Sequence, residues 1–188
     1  MLFRSFSRFE GVNTFLGPEM RSTGEVMGIA SDFSEAYSKA LYASGMYLPL
    51  PGDGVIFISV NDHDKEHSLQ LARELIRLGF QIIATHGTCR YLNDHHISAE
   101  PVYKVNEGRP NIVDRMKNGD VKLLINTPLG RKSYFDEQIV GETAYRLGLP
   151  LLTTFSATRA ALGAIEAIGK RPLRPVKLQE LDTGKFRS

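Results

Sequence analysis

The chain has 188 residues, 42% of them apolar, and a formal net charge of +2. That length and apolar share suit one domain with a sizeable core and exclude wholesale disorder. The low net charge excludes a dedicated nucleic-acid binder, and a single cysteine, Cys89, excludes an internal disulfide and fits a reducing compartment.

The opening, MLFRSFSRFEGVNTF, lacks the continuous apolar segment of a secretory signal. Nothing further along is long and apolar enough to cross a bilayer, so the expectation is a soluble cytoplasmic protein. Residues 1–30 carry Gly11, Gly17, Pro18, Gly24 and Gly28 without a helical period and read as extended or looped. Residues 31–45 read as one helix. Ser31, Asp32 and Ser34 offer caps, Phe33, Tyr37 and Leu41 repeat at helical spacing, and Gly45 stops it. The proline- and glycine-rich LPLPGDG that follows reads as a linker over 46–53.

From Val55 the pattern becomes regular. Strands are predicted at 55–60, 81–85, 101–105, 121–126 and 150–154. Helices are predicted between and after them, at 64–78, 88–95, 110–119, 135–147 and 157–168. Leu71, Ala72, Leu75 and Leu78 form the inner face of the first of these, which Gly79 ends. Pro110 opens the third. Val140, Ala144 and Leu147 face inward from the fourth. The basic, proline-broken residues 171–188 read as a tail.

Strands alternating with helices give an α/β fold, a five-stranded mainly parallel sheet with helices on both faces. Ligands of such sheets bind at the carboxyl ends of the strands. Here those ends carry Asn61 to His67, Thr85-His86-Gly87-Thr88, Asn106 to Asn111, Asn126 to Ser133 and Thr153 to Thr158. Hydroxyls, glycine turns and the cations Lys65, Lys104, Arg109, Arg131 and Lys132 gather at that edge. Helix starts with directed N–H donors and convergent lysines describe an anion site, with phosphate the favoured anion. Taken singly, Thr85 and Thr88 read as caps of a short helix. Lys65 at a helix start opposes the macrodipole, which favours an anion beside it.

Other constellations point nowhere sharp. His63 and His67 are spaced as in zinc proteases, but Asp64 stands where a glutamate is required, so they read as surface residues. His95 and His96 read as favourable charge at a helix end. Cys89 lies near a helix start, yet no histidine–acid pair is placed to activate it, and it reads as a small buried thiol. No GxGxxG follows a strand, so a dinucleotide fingerprint is absent, and no metal site is expected.

Two blocks resemble a known family. LGPEMRSTGEVMG with SDFSEAYSKA is similar to the end of the second synthetase half of the carbamoyl-phosphate synthetase large subunit. DKE, ATHGT and KVNEGRPNIVDRMKNGDVKLLINTPLGR are similar to the methylglyoxal-synthase-like regulatory domain that follows it in bacterial enzymes. The resemblance implies that residues 1–45 are the tail of an ATP-grasp domain and 54–170 an allosteric domain for nucleotide monophosphates, UMP as inhibitor and IMP as activator. It places Lys65, Thr85, Thr88 and Lys104 at the phosphate, and Ser59, Asn126, Thr127 and Arg131 near the ribose and base. Thr153 matches a contact for ornithine, but Leu151 and Leu152 replace the family's Tyr-Asp pair. Pro128 replaces a threonine of the family's Asn-Thr-Thr turn and offers neither hydroxyl nor N–H.

The resemblance further implies a role in pyrimidine and arginine biosynthesis. The expected partners are the rest of the large subunit, a glutaminase small subunit and further copies of the chain. No cofactor is expected in this stretch, with ATP and magnesium or manganese confined to the full enzyme. The competing enzyme reading is methylglyoxal synthase, a lyase acting on dihydroxyacetone phosphate. Its catalytic aspartate falls in a turn that reads Glu107-Gly108-Arg109-Pro110 here, and an arginine does not abstract a proton. A protein-interaction module explains the charges but not the threonine–glycine turns.

Overall fold

A computed structural model describes residues 26–127 and 134–175. The expectations for residues 1–25, Pro128, Arg131, Lys132 and the end of the tail lie outside those residues. The elements in chain order are α1 (Phe33–Ala43), β1 (Val55–Ser59), α2 (Lys65–Arg77), β2 (Gln81–Thr85), α3 (His86–Asp94), β3 (Glu100–Val102), α4 (Ile112–Lys117), β4 (Val121–Asn126), α5 (Tyr134–Leu147), β5 (Leu151–Leu152) and α6 (Phe155–Lys170). A single 3-10 turn, Asp62–Asp64, leads into α2.

The five strands pair in the order β3-β2-β1-β4-β5, and every pairing among the described residues is parallel. β1 is central because its run is apolar on both faces. Ile56 and Ile58 point into one core cluster with Leu71, Leu75 and Leu92 of α2 and α3 and Ala161, Leu162 and Ile165 of α6. Phe57 points the other way, into a second cluster with Ile112 and Met116 of α4 and Val140 and Ala144 of α5. The alternation follows from the two-residue period of a strand. Both layers are therefore fixed by one five-residue segment.

The chain leaves β1 toward β2 and β3 on one side, then crosses back to β4 and β5 on the other. The strand order thus reverses between β1 and β4, and a crevice opens at such a reversal. Ser59 lies beside Asn126 in the register, so the last residues of both strands flank that crevice.

Helix ends follow local chemistry. Asp32 caps α1, accepting the Glu35 amide at 2.9 Å. Gly79 ends α2 with a φ of +87°, a conformation costly for other residues. Asn111 and Asp114 form a reciprocal capping box at α4.

Several sequence expectations shift. Pro110 precedes the Asn111 cap rather than occupying the first helical turn, and the Arg109–Pro110 bond is cis. β3 and β5 shrink to three and two residues: after Val102 the chain bridges Tyr103 to Asn111 and turns, the Glu107 amide donating to the Lys104 carbonyl at 3.1 Å, and Thr154 is withdrawn to cap α6. α3 starts at His86, two residues early, and α6 spans 16 residues. Leu147 is exposed, whereas Val140 and Ala144 are buried.

The face of α1 is also different. Phe33, at the start of its aromatic stripe, is exposed and stacks on Tyr37. α1 meets α6 through small residues: the Ser38 hydroxyl reaches the Ala164 carbonyl at 3.3 Å, and Ser34 lies against Gly163. Gly28 packs so closely on α1 that a Cβ there would stand 1.8 Å from the Ala36 carbonyl oxygen. The helix before the linker therefore packs on the last helix of the sheet domain.

Candidate functional site

A cleft of about 210 Å³ opens at the carboxyl edge of the sheet, where the strand order reverses. Ser59, Val60 and Asn61 line its floor from β1, Thr85 from β2, and Asn126 and Thr127 from β4. Lys104 and Val105 close it beyond β3, and Asp136, Glu137 and Val140 wall it from α5. The parallel arrangement puts all these strand ends at one edge. β2 and β4 flank β1, so the cleft spans two strand spacings, about 10 Å.

The hydroxyls differ in their engagements. Thr85 Oγ1 lies 3.5 Å from Ser59 Oγ, the outer limit for a hydrogen bond, so both retain bonding capacity toward a ligand. Thr88 is 1% exposed. Its Oγ1 accepts the Val60 amide at 3.3 Å and lies 3.4 Å from the Val60 carbonyl. It ties the first turn of α3 to the end of β1 and stands 3.3 Å behind Thr85 Oγ1. Across the cleft, the Thr127 amide donates to the Ser59 carbonyl at 3.0 Å, and its hydroxyl accepts from the Asn61 amide at 3.4 Å.

The two lysines come to the α3 end. Lys65 Nζ lies 3.8 Å from the position a Cβ would take on Gly87, and 5.9 Å from the Tyr91 ring centroid. It therefore sits over the start of α3, where free N–H groups carry partial positive charge. Lys65 is paired in this structure, with Asp62 Oδ1 at 2.6 Å. The lysine that opposes the helix macrodipole thus has a local counterion. The Lys65 hydrogen bond and charge hold the Asp62 carboxyl below its ordinary value, with smaller contributions from His63 and Lys104.

Asp62, Asp136 and Glu137 were not singled out by sequence reasoning, which collected cations at strand ends. The signal was present as acidic residues opening the helical turns after β1 and β4. Asp136 accepts from the Asn106 amide nitrogen at 2.6 Å, and Glu137 is buried. The cleft is consequently polar along its length. Lys104 lines the cleft, Lys65 does not line it but reaches its rim through the pair with Asp62, and Asp136 and Glu137 line the α5 side. That polarity suits a ligand with an anionic group at one end and N–H or O–H donors at the other.

The other expected residues separate from this group. Thr153 ends β5 and does not line the cleft. Arg109 is largely exposed and pairs with Asp114 at 3.8 Å. Asp114 is itself held by the Asn111 amide at 3.0 Å. His86 approaches Glu107 at 3.7 Å, and His67 packs on the Phe155 ring. Cys89 is buried on the far side of α3, and its desolvation raises the thiol pKa, as expected for a structural thiol.

Comparison with known proteins agrees with this geometry. The model of the MGS-like domain matches residues 67–153. The carbamoyl phosphate synthase large chain of Acidobacterium capsulatum is 49% identical over 95% of this chain and 16% of its own length. The carbamoyl phosphate synthase large chain, C-terminal section, of Aquifex aeolicus is 46% identical over 88% of this chain and 30% of its own. The corresponding section of Methanopyrus kandleri is 44% identical over 97% and 33%. The chain spans 16% of the first of these relatives and no more than 33% of either section. With a doubly covered parallel sheet and its cleft at the strand reversal, the chain belongs to the C-terminal, MGS-like part of the carbamoyl phosphate synthase large-chain family.

Proposed function

We propose that this chain is a regulatory nucleotide-monophosphate-binding unit of a carbamoyl phosphate synthase, with UMP as inhibitor and IMP as activator. The observation that carries the reading is the polarity of one cleft. Lys104 and Thr85 line the phosphate end in this reading, Lys65 joins them from the rim once it leaves Asp62, and Thr88 braces Thr85 from behind. Ser59, Asn126 and Thr127 form the middle, where a ribose fits, and Asp136 and Glu137 accept from sugar hydroxyls or base N–H groups. Arg131, which the family resemblance assigns to this ligand, lies outside the described residues.

The unit binds without turnover, because the turn at 107–110 presents an exposed, ion-paired arginine rather than a free carboxylate. Control follows if the nucleotide has different affinity for two states of the complete enzyme, a coupling typically of about 1–3 kcal/mol. The rest of the large chain, the glutaminase subunit and further copies of the chain are the partners in this reading, and the setting is the cytoplasm. ATP and its divalent cation act elsewhere in the enzyme. Ornithine control is weak here, because Leu151 and Leu152 offer no carboxylate beside Thr153.

Titration calorimetry of the 188-residue chain with UMP and with IMP tests the proposal. Binding of at least one nucleotide at about millimolar affinity or better is expected, weakened at least about tenfold by Lys65→Ala with Lys104→Ala. Absence of binding to both nucleotides overturns the reading.

A further inference from the structure

We propose that Asp62 is a built-in competitor for the anion position of the cleft, its carboxylate holding the lysine that a ligand's phosphate must engage. The proposal rests on the nucleotide reading of the cleft. Asp62 lines that cleft, its side chain is 85% exposed, and its Oδ1 lies 2.6 Å from Lys65 Nζ. Lys65 Nζ in turn lies against Gly87 at the start of α3. The carboxylate therefore holds the lysine that approaches the helix start to which an incoming anion would be drawn. Lys104 lines the same cleft as Asp62, so both cations assigned to the ligand border a resident anion.

Asp62 has no part in capping the turn that carries it. Asn61 performs that task, its side-chain oxygen accepting the Asp64 amide at 3.0 Å. The Asp62 side chain is thus free to swing away without unwinding the start of α2. A phosphate dianion brings charge of the same sign as the carboxylate. The two repel at this spacing, so the ligand either displaces Asp62 from Lys65 or binds against it. Either way, wild-type affinity lies below what the two lysines alone would give. Exposed ion pairs are individually weak, which keeps the competitor displaceable.

The test is titration calorimetry of the wild-type chain, Asp62→Asn and Asp62→Glu at low salt, with inorganic phosphate and with UMP as separate probes. Asp62→Asn is expected to bind both probes about three- to tenfold tighter than wild type. Asp62→Glu, which keeps the charge, is expected to stay close to wild type. Wild-type binding of UMP with Asp62→Asn unchanged overturns this proposal and leaves the nucleotide reading standing. Weaker binding by Asp62→Asn also overturns it, since Asp62 would then be positioning Lys65 for the ligand. Failure of both wild type and Asp62→Asn to bind either probe overturns the nucleotide reading and this proposal together. Circular dichroism of each variant establishes that α2 is retained.

Discussion

The hydroxyl of Thr88 accepts the backbone amide of Val60 at 3.3 Å, joining the first turn of α3 to the residue that follows β1. Both groups are buried, so the amide has no ready substitute in water. Thr88→Val keeps the shape and removes the acceptor. It is expected to lower the unfolding free energy by about 1–3 kcal/mol in urea titrations. Thr88→Ser keeps the acceptor and is expected to lose less. Thr85→Ala, by contrast, is expected to weaken nucleotide affinity with a smaller stability change, because its contacts to Ser59 at 3.5 Å and Thr88 at 3.3 Å are long and leave no backbone group unpaired when lost. Equal stability losses for Thr88→Val and Thr85→Ala would refute this division of roles.

The proposed absence of turnover rests on Arg109 and Asp114. The carboxylate of Asp114 is engaged by the Asn111 amide and lies near the Arg109 guanidinium. Incubation with dihydroxyacetone phosphate is therefore expected to release no inorganic phosphate above the buffer rate. Asp114→Ala is expected to cost about 1 kcal/mol of stability through loss of the cap. Phosphate release that scales with protein concentration and disappears in Asp114→Ala would restore a catalytic role.

Cys89 gives a pH-dependent prediction. Desolvation raises its thiol pKa, against a smaller opposing effect from the Asn93 side chain. The thiolate is then scarcer in the folded chain than in the unfolded one. Modification by an aromatic disulfide reagent is expected to be slow in the native chain at pH 7–8 and fast after denaturation. The stability linked to this group is fully present below the unfolded thiol pKa, about 8.5, and declines as pH rises toward the higher folded value. Rapid native-state labelling at pH 7 would contradict the assignment.

Gly28 reports on the α1 contact. Its Cβ position collides with the Ala36 carbonyl, which is backbone and has little room to yield. Gly28→Ala is expected to destabilise by about 1–3 kcal/mol and to speed proteolysis within residues 26–50. Gly163→Ala meets the tip of Ser34 at 2.8 Å, a side chain able to rotate, and is expected to cost less. The reverse ranking would show that α1 docks differently.

The sheet was largely legible because its chemistry is local. Apolar runs such as Val55 to Ser59 and stops such as Gly79 announce themselves within a few residues. Strand-end logic also named Thr85, Lys104, Asn126 and Thr127, and the family resemblance added Ser59; all five line one cleft. The failures were of contact and of sign. Ser38 docks α1 through a hydroxyl that no periodicity reveals, while the conspicuous Phe33 faces solvent. Asp62, Asp136 and Glu137 were overlooked because a search for a phosphate site gathers cations, and the acidic end depends on where α5 packs. The engagement of Thr88 with Val60 spans 28 residues and is invisible to local reading.

The shortness of β3 and β5 has a consequence for a chain spanning so little of its relatives' length. These two strands are the rims of the sheet, three and two residues long, and Pro101 interrupts the donor row of one of them. A rim this blunt gives a stray strand almost nothing to pair with. β1 is paired along both sides, and β3 and β5 cover the outer sides of β2 and β4 over three and two residues. Among the described residues, the fold therefore offers little template for edge-to-edge aggregation when it stands apart from a larger assembly.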